Sequence, residues 1–140
     1  MTPSTLSASL LTAYHQTHYQ VSAATRFTLR IDAPSPELLA LHTAHRVTAS
    51  AYLTAWNPFS QKLNDAENAA RQHRLEAELA RRGVPFLPGI GQHPSNDWPG
   101  EPSVLALGLT LDARALGTAF EQNAIVWAGA DAVPRLVLLR

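Results

Sequence analysis

The 140 residues carry 11 basic and 11 acidic side chains and no cysteine, which excludes disulfide scaffolds, thiolate metal sites and cysteine nucleophiles. With no net charge and a pI near 7.0, the chain has no field to draw it to nucleic acid or anionic lipid, so neither is expected as a partner. A single domain over residues 1–140 is expected, because a chain of this size buries about 68% of its unfolded surface around one core.

Leu6, Leu10, Leu11 and Tyr14 form a helical stripe behind Ser4 or Thr5 as a cap, predicting a first helix over 6–14. The alternation in RFTLRI, residues 26–31, predicts a strand with one exposed face. Ser35 before Pro36 opens a short helix reaching about His45. Residues 47–55, VTASAYLTA, are nearly uncharged and rich in β-forming and small residues, as an interior strand is. Asn64 with Glu67 resembles a capping box, so a helix is expected over 65–82, ended by Gly83 and Pro85.

Phe86 and Leu87 read as a short strand, after which the prolines and glycines between 88 and 102 predict a structured loop. Residues 103–110 read as another interior strand and 112–121 as a helix capped by Asp112 or Thr110. Residues 123–128 and 135–139 are the last two strands, able to close a hairpin through 129–134. The order α-β-α-β-α-β-β-α-β-β implies an α+β fold with a single mixed sheet of about five strands and helices packed on it. The N-terminus lacks the pattern of a secretory leader and no apolar run reaches about 18 residues, so a cytoplasmic protein is expected.

The chemistry concentrates in two stretches. TAWNPFSQKLNDAEN, residues 54–68, places Thr54, Asn57, Ser60, Gln61, Asn64 and Asn68 where a strand hands over to a helix. A simple junction needs only a short turn and one cap. On a helical wheel Asn68 lies within about 40° of Gln72, Leu75 and Leu79, so it points at the sheet. A buried amide must find partners, either loop backbone around 57–60 or a ligand. Arg71 is the nearest cation that could accompany it and hold a carboxylate or phosphate; its alternative is a surface pair with Glu67 or Glu78.

The second stretch is GIGQHPSNDWPGEPS, residues 89–103. His93, Asp97 and Glu101 supply a base and two carboxylates suited to general acid and base chemistry, and Trp98 implies a loop that packs down or meets a ligand. Pro94, Pro99 and Pro102 exclude a regular helix, so the spacing gives no metal motif and no metal site is expected. The Gly89-x-Gly91 pair lacks the third glycine of a dinucleotide fingerprint. No Gly-x-Ser-x-Gly elbow surrounds a serine, which disfavours a serine hydrolase. Gln122 and Asn123 close a helix, where an Asn can take the left-handed capping conformation. His15/His18 and His42/His45 lie near helix C-termini, where the dipole favours an imidazolium.

In residues 54–60 with Asn68 behind them, 89–94 with Asp97, Trp98 and 101–103, and 122–126, the chain resembles the bacterial family known as domain of unknown function 3293. The resemblance covers about residues 14–140. It supplies an identity without an established activity and leaves any cofactor open, and its likeness in the polar loops is consistent with a shared site. The expected function is binding of a polar small molecule, possible nucleotide or other anion included, in a pocket lined by Asn57, Ser60, Asn68, Arg71, Trp98 and Gln122, with His93, Asp97 and Glu101 beside it. One alternative is a hydrolase or transferase using His93 with Asp97 or Glu101 as acid and base. The other is a non-catalytic interaction domain that exposes Trp98 on a partner surface.

Overall fold

A computed structural model describes residues 6–95 and 97–140. The described residues form α1 (Ala8–Gln16), β1 (His18–Val21), β2 (Phe27–Leu29), α2 (Pro36–His45), β3 (Ser50–Leu53), α3 (Asp65–Arg81), β4 (Phe86–Gln92), β5 (Glu101–Leu107), α4 (Ala113–Ala119), β6 (Ala124–Ala128) and β7 (Arg135–Leu138), with a short 3-10 turn, Pro58–Ser60, after β3. The strands make one sheet in the order β2-β1-β4-β5-β3-β6-β7, and every ladder is antiparallel. The α+β class is as expected. The sheet has seven strands where about five were expected, and it is antiparallel where a mixed sheet was expected.

The added strand and the greater length of β4 have a local cause. HYQV, residues 18–21, is a four-residue strand directly behind a helix, too short to stand out by its own alternation. It is held by pairing on both sides, Tyr19 with Leu29 and with Gly91. The run expected to be loop from 88 onward is strand as far as Gln92, because β1 and β5 satisfy its backbone from the two sides. Pro88 lacks a donor, yet its carbonyl accepts from Ser22 at 2.8 Å, so its place in the ladder remains useful.

Alternation along the central strands sorts the core into two layers. Tyr52, Leu105, Leu107, Val126 and Ala128 face one way, toward Leu38 of α2 and the β1 and β2 residues Tyr19, Val21, Phe27 and Leu29. Ala51, Leu53, Val104, Ala106 and Ile125 face the other way, against Leu75 and Leu79 of α3 and Ala113 and Leu116 of α4. Burial of Leu75 and Leu79 contributes about 1.5–3 kcal/mol each. That contribution anchors α3 across the sheet.

The helix ends follow the sequence closely. Ser7 caps α1, while the candidate caps Ser4 and Thr5 lie outside the described residues. Ser35 accepts from Leu38 N and Asn64 from Glu67 N, and Gly83 leaves α3 at φ 71° so that Val84 N can reach the Leu79 carbonyl. His42 departs from its expected part. It is buried, its Nε2 lies 2.8 Å from Ser50 Oγ, and burial holds its pKa below the ordinary value, so it is a neutral core group rather than a dipole-stabilised cation.

Two glycines of β4 separate in their demands. A Cβ at Gly89 would collide with the Gln20 carbonyl oxygen and come within 2.7 Å of the Tyr52 hydroxyl, which lies across the strand to donate to that carbonyl. A Cβ at Gly91 would meet only Tyr19 and Thr17 carbons, at 3.8 and 3.9 Å. Gly89→Ala is therefore expected to lower stability by about 1–3 kcal/mol. Gly91→Ala should stay within about 0.5 kcal/mol. Urea midpoints of the two variants check this, and equal midpoints would contradict it.

Candidate functional site

Register, more than any motif, builds the site. Tyr19 pairs with Gly91 and Gly91 with Glu101, so these three stand in one row across β1, β4 and β5. The missing side chain of Gly91 leaves the floor open between a tyrosine and a carboxylate. On the same sheet face Tyr52 pairs with Val126, and Val126 with Leu136. Leu10, Ala13 and Tyr14 of α1 roof these strands, and the space between is a cavity of about 290 Å³. That equals roughly ten water molecules at liquid density.

One end of the cavity is polar. Asn57 sits there with φ 48°, a left-handed conformation that Asn tolerates better than most residues, and it is buried. Its backbone N–H donates to Asn68 Oδ1 at 2.8 Å, and its Oδ1 accepts from Asn68 Nδ2 at 2.8 Å and from Leu63 N at 3.1 Å. Its remaining group, Nδ2, donates to Glu101 Oε2 at 2.9 Å, and Trp98 Nε1 donates to the same oxygen at 2.8 Å. The carboxylate thus fixes which way the Asn57 amide faces, and Asn57 in turn fixes Asn68.

Burial pushes the Glu101 carboxyl above the ordinary carboxylate range, and the hydrogen bonds from Trp98 and Asn57 pull against that shift. Tyr19 and Tyr52 are likewise pushed up by burial and stay neutral.

The turn that carries Asn57 is strained. Phe59 and Ser60 also have positive φ, 52° and 58°, and each such residue costs about 1–2 kcal/mol. Several bonds hold the turn in place. Phe59 N donates to Glu121 O at 2.7 Å, and Ser60 Oγ accepts from Asn123 Nδ2 at 2.9 Å and lies 3.2 Å from the Tyr14 hydroxyl. From below, Arg71 Nε donates to Ala55 O at 2.8 Å and its Nη2 to Phe120 O, with Glu121 at 3.3 Å. Gln72 Oε1 accepts from Ala55 N at 2.9 Å. Gln122 Nε2 ties Trp56 O and Phe120 O together at 3.3 and 3.1 Å.

The expected site residues divide accordingly. Asn57, Ser60, His93, Trp98, Glu101 and Gln122 come together on the cavity lining. Asn68 and Arg71 do not line it; Asn68 gives both ends of its amide to the Asn57 turn, and the side chain of Arg71 is only 13% exposed beneath backbone carbonyls. Arg71 pairs with Glu121, not with Glu67 or Glu78. Asp97 is exposed and off the lining. The left-handed residue behind α4 is Glu121, at φ 59°, so Asn123 is free of the capping role expected for it and binds Ser60 instead.

Sequence reasoning missed the other half of the wall. Tyr14 read as part of a helix stripe and Tyr52 as strand core, and Tyr19 lay in the strand that was not foreseen. The alternation of Tyr19 and Val21 with His18 and Gln20 was the available signal. Among the described residues no group of three His, Asp or Glu is placed to hold a metal ion, and no helix is long and apolar enough to cross a membrane.

The family model described as protein of unknown function DUF3293 matches residues 53–125, more than half of the chain, and the chain belongs to that family. The match is narrower than the resemblance over 14–140. It contains Asn57, Asn68, Trp98, Glu101 and Gln122 but neither α1 nor β1, which supply the roof and one tyrosine of the cavity. No curated protein and no solved structure matches the chain.

Asn68→Leu removes the acceptor of a buried N–H and is expected to cost about 2 kcal/mol or more. The exposed His73→Ala on the same helix should cost less than about 0.5 kcal/mol; equal losses would contradict the bracing role. The Glu101 shift has a definite sign. The folded state keeps a proton that the unfolded state has already released, so stability falls as pH rises from the ordinary carboxylate range through the raised value. Glu101→Gln retains an acceptor for Asn57 and Trp98 and should lack that fall, as urea midpoints across pH will measure. Glu78, held down at about 2 by Arg81 and Arg82, acts on the opposite limb, losing its contribution as pH falls below the ordinary range.

Proposed function

We propose that this domain binds a small polar molecule with an apolar body in the cavity between α1 and the sheet, its polar end at Glu101. One observation carries the reading. A half-buried carboxylate whose pKa is raised stands in the wall of a 290 Å³ cavity, with one oxygen clamped by Asn57 and Trp98. Holding a carboxylate out of water is costly without a partner, and perturbed groups of this kind concentrate in clefts that bind or react. Leu10, Ala13, Leu53, Ile125, Val126 and Leu136 make much of the remaining wall apolar, which suits a ligand that buries apolar surface and uses few polar contacts. The strained turn at Asn57, Phe59 and Ser60 adds support, because such backbone is kept where the surroundings over-determine it, often at ligand sites.

The competing readings have less beneath them. A nucleotide or other anion would need cations, and the described lining has no Lys or Arg. A hydrolase or transferase built on His93 would need a free ring nitrogen. His93 Nε2 lies 2.9 Å from Gln16 Oε1, and Nδ1 accepts from Ser95 N at 3.1 Å. The partner-surface reading needs an exposed Trp98, whose ring is half-buried and whose N–H is turned inward to Glu101.

A fragment screen by ligand-observed NMR tests the site. Hits on the wild type are expected to lose binding by about 100-fold or more in Gly91→Leu, whose side chain would extend into the cavity. Hits that persist in a folded Gly91→Leu protein would put binding elsewhere.

A further inference from the structure

The hydroxyl groups of the wall narrow the ligand further. A hydroxyl has one hydrogen to give and two lone pairs to offer. Thr17 donates to Ala13 O at 2.7 Å, Tyr19 to Tyr14 O at 2.8 Å, Tyr52 to Gln20 O at 2.8 Å, Thr54 to Pro102 O at 2.7 Å and Ser103 to Glu101 O at 2.9 Å. All five line the cavity, and all five spend their hydrogen on main chain. What they can present to a ligand is lone pairs. Tyr14 and Ser60 share a bond at 3.2 Å, which leaves one hydroxyl hydrogen between them for a further acceptor.

The wall therefore has a surplus of acceptors, crowned by a carboxylate, and the described lining has no Lys or Arg to balance it. Aromatic rings stand beside these acceptors. Tyr14, Tyr19, Tyr52 and Trp98 border the space, and the negative face of such a ring attracts an ammonium group. The Trp98 ring already draws one cation, Lys62 Nζ at 4.8 Å from its centroid. A bare metal ion fits poorly, because one carboxylate among aromatic and aliphatic groups does not supply the oxygen ligands that hard cations take.

We propose that the cavity selects an organic monocation, a primary or N-methylated amine joined to an apolar group, with the ammonium against Glu101 and the apolar body between α1 and Tyr52. The inference rests on the cavity being the binding site, and the test separates the two. Four probes that share a benzyl group are titrated into the purified protein by calorimetry: 2-phenylethylamine, its trimethylammonium form, 2-phenylethanol and phenylacetate. Both cations are expected to bind at least about tenfold tighter than the alcohol, with phenylacetate weakest. Glu101→Gln, which keeps an acceptor for Asn57 and Trp98, should erase that preference while weak binding of the alcohol remains. Gly91→Leu should weaken every probe.

If the alcohol or phenylacetate binds as tightly as the cations, or if Glu101→Gln leaves the preference intact, the cation assignment fails and the site survives. If a folded Gly91→Leu protein binds all four probes as the wild type does, the site itself is wrong. If none of the four binds at about 10 mM, where even weak contacts of roughly 3 kcal/mol register, both readings fall.

Discussion

A single buried amide, that of Asn57, holds two distant parts of the chain in one place. Its backbone is left-handed, its N–H and Oδ1 are satisfied by Asn68 of α3, and its Nδ2 reaches Glu101 at the start of β5. Each bond removes a choice from the next. A carboxylate can only accept, so Asn57 must turn its NH2 outward, and Asn68 must then turn its own NH2 toward Asn57 Oδ1. The result is a chain of polar groups with one orientation, running from the helix under the sheet to the wall of the cavity. Unmaking any part leaves a buried donor or acceptor alone, which is why the turn can keep three residues at positive φ.

The apolar part of the cavity depends on a different constraint, the lack of side chains along β4. At Gly89 the space above the strand is taken by the Tyr52 ring, which crosses to the Gln20 carbonyl; at Gly91 it is open to the cavity. Tyr52 thereby welds β3 to β1 across two intervening strands, and the sheet stays together over a region where its own face is hollow. Five hydroxyls around that hollow, those of Thr17, Tyr19, Tyr52, Thr54 and Ser103, turn to backbone carbonyls, since a buried carbonyl needs a donor as surely as a buried N–H needs an acceptor. The direction of those five hydroxyls follows from how the fold satisfies its own main chain.

Much of the frame was legible because its signals are local. Asn64, Gly83, Ser35 and Pro36 mark helix ends through their own hydrogen bonding or backbone freedom, and each does so in the structure. The inward direction of Asn68 followed from its angle to Leu75 and Leu79, and the interior place of β3 from its lack of charge. His42 was misread because helical position says where a dipole acts but not which neighbours exclude water. Asn123 was misread in the same way, since the left-handed conformation went to Glu121 once Ser60 offered Asn123 a partner.

The sequence by itself determined an α+β chain, the ends of α2 and α3, and two stretches dense in polar side chains, since those depend on neighbours a few residues apart. Only the tertiary structure decided that Asn57 meets Glu101 forty-four positions away, that Arg71 and Asn68 serve the turn, and that three tyrosines from α1, β1 and β3 share one hollow. Pairing register governs those outcomes. A shift of one residue in β4 would turn Gly91 to the opposite face and remove the opening between Tyr19 and Glu101, and register is set by the whole sheet at once.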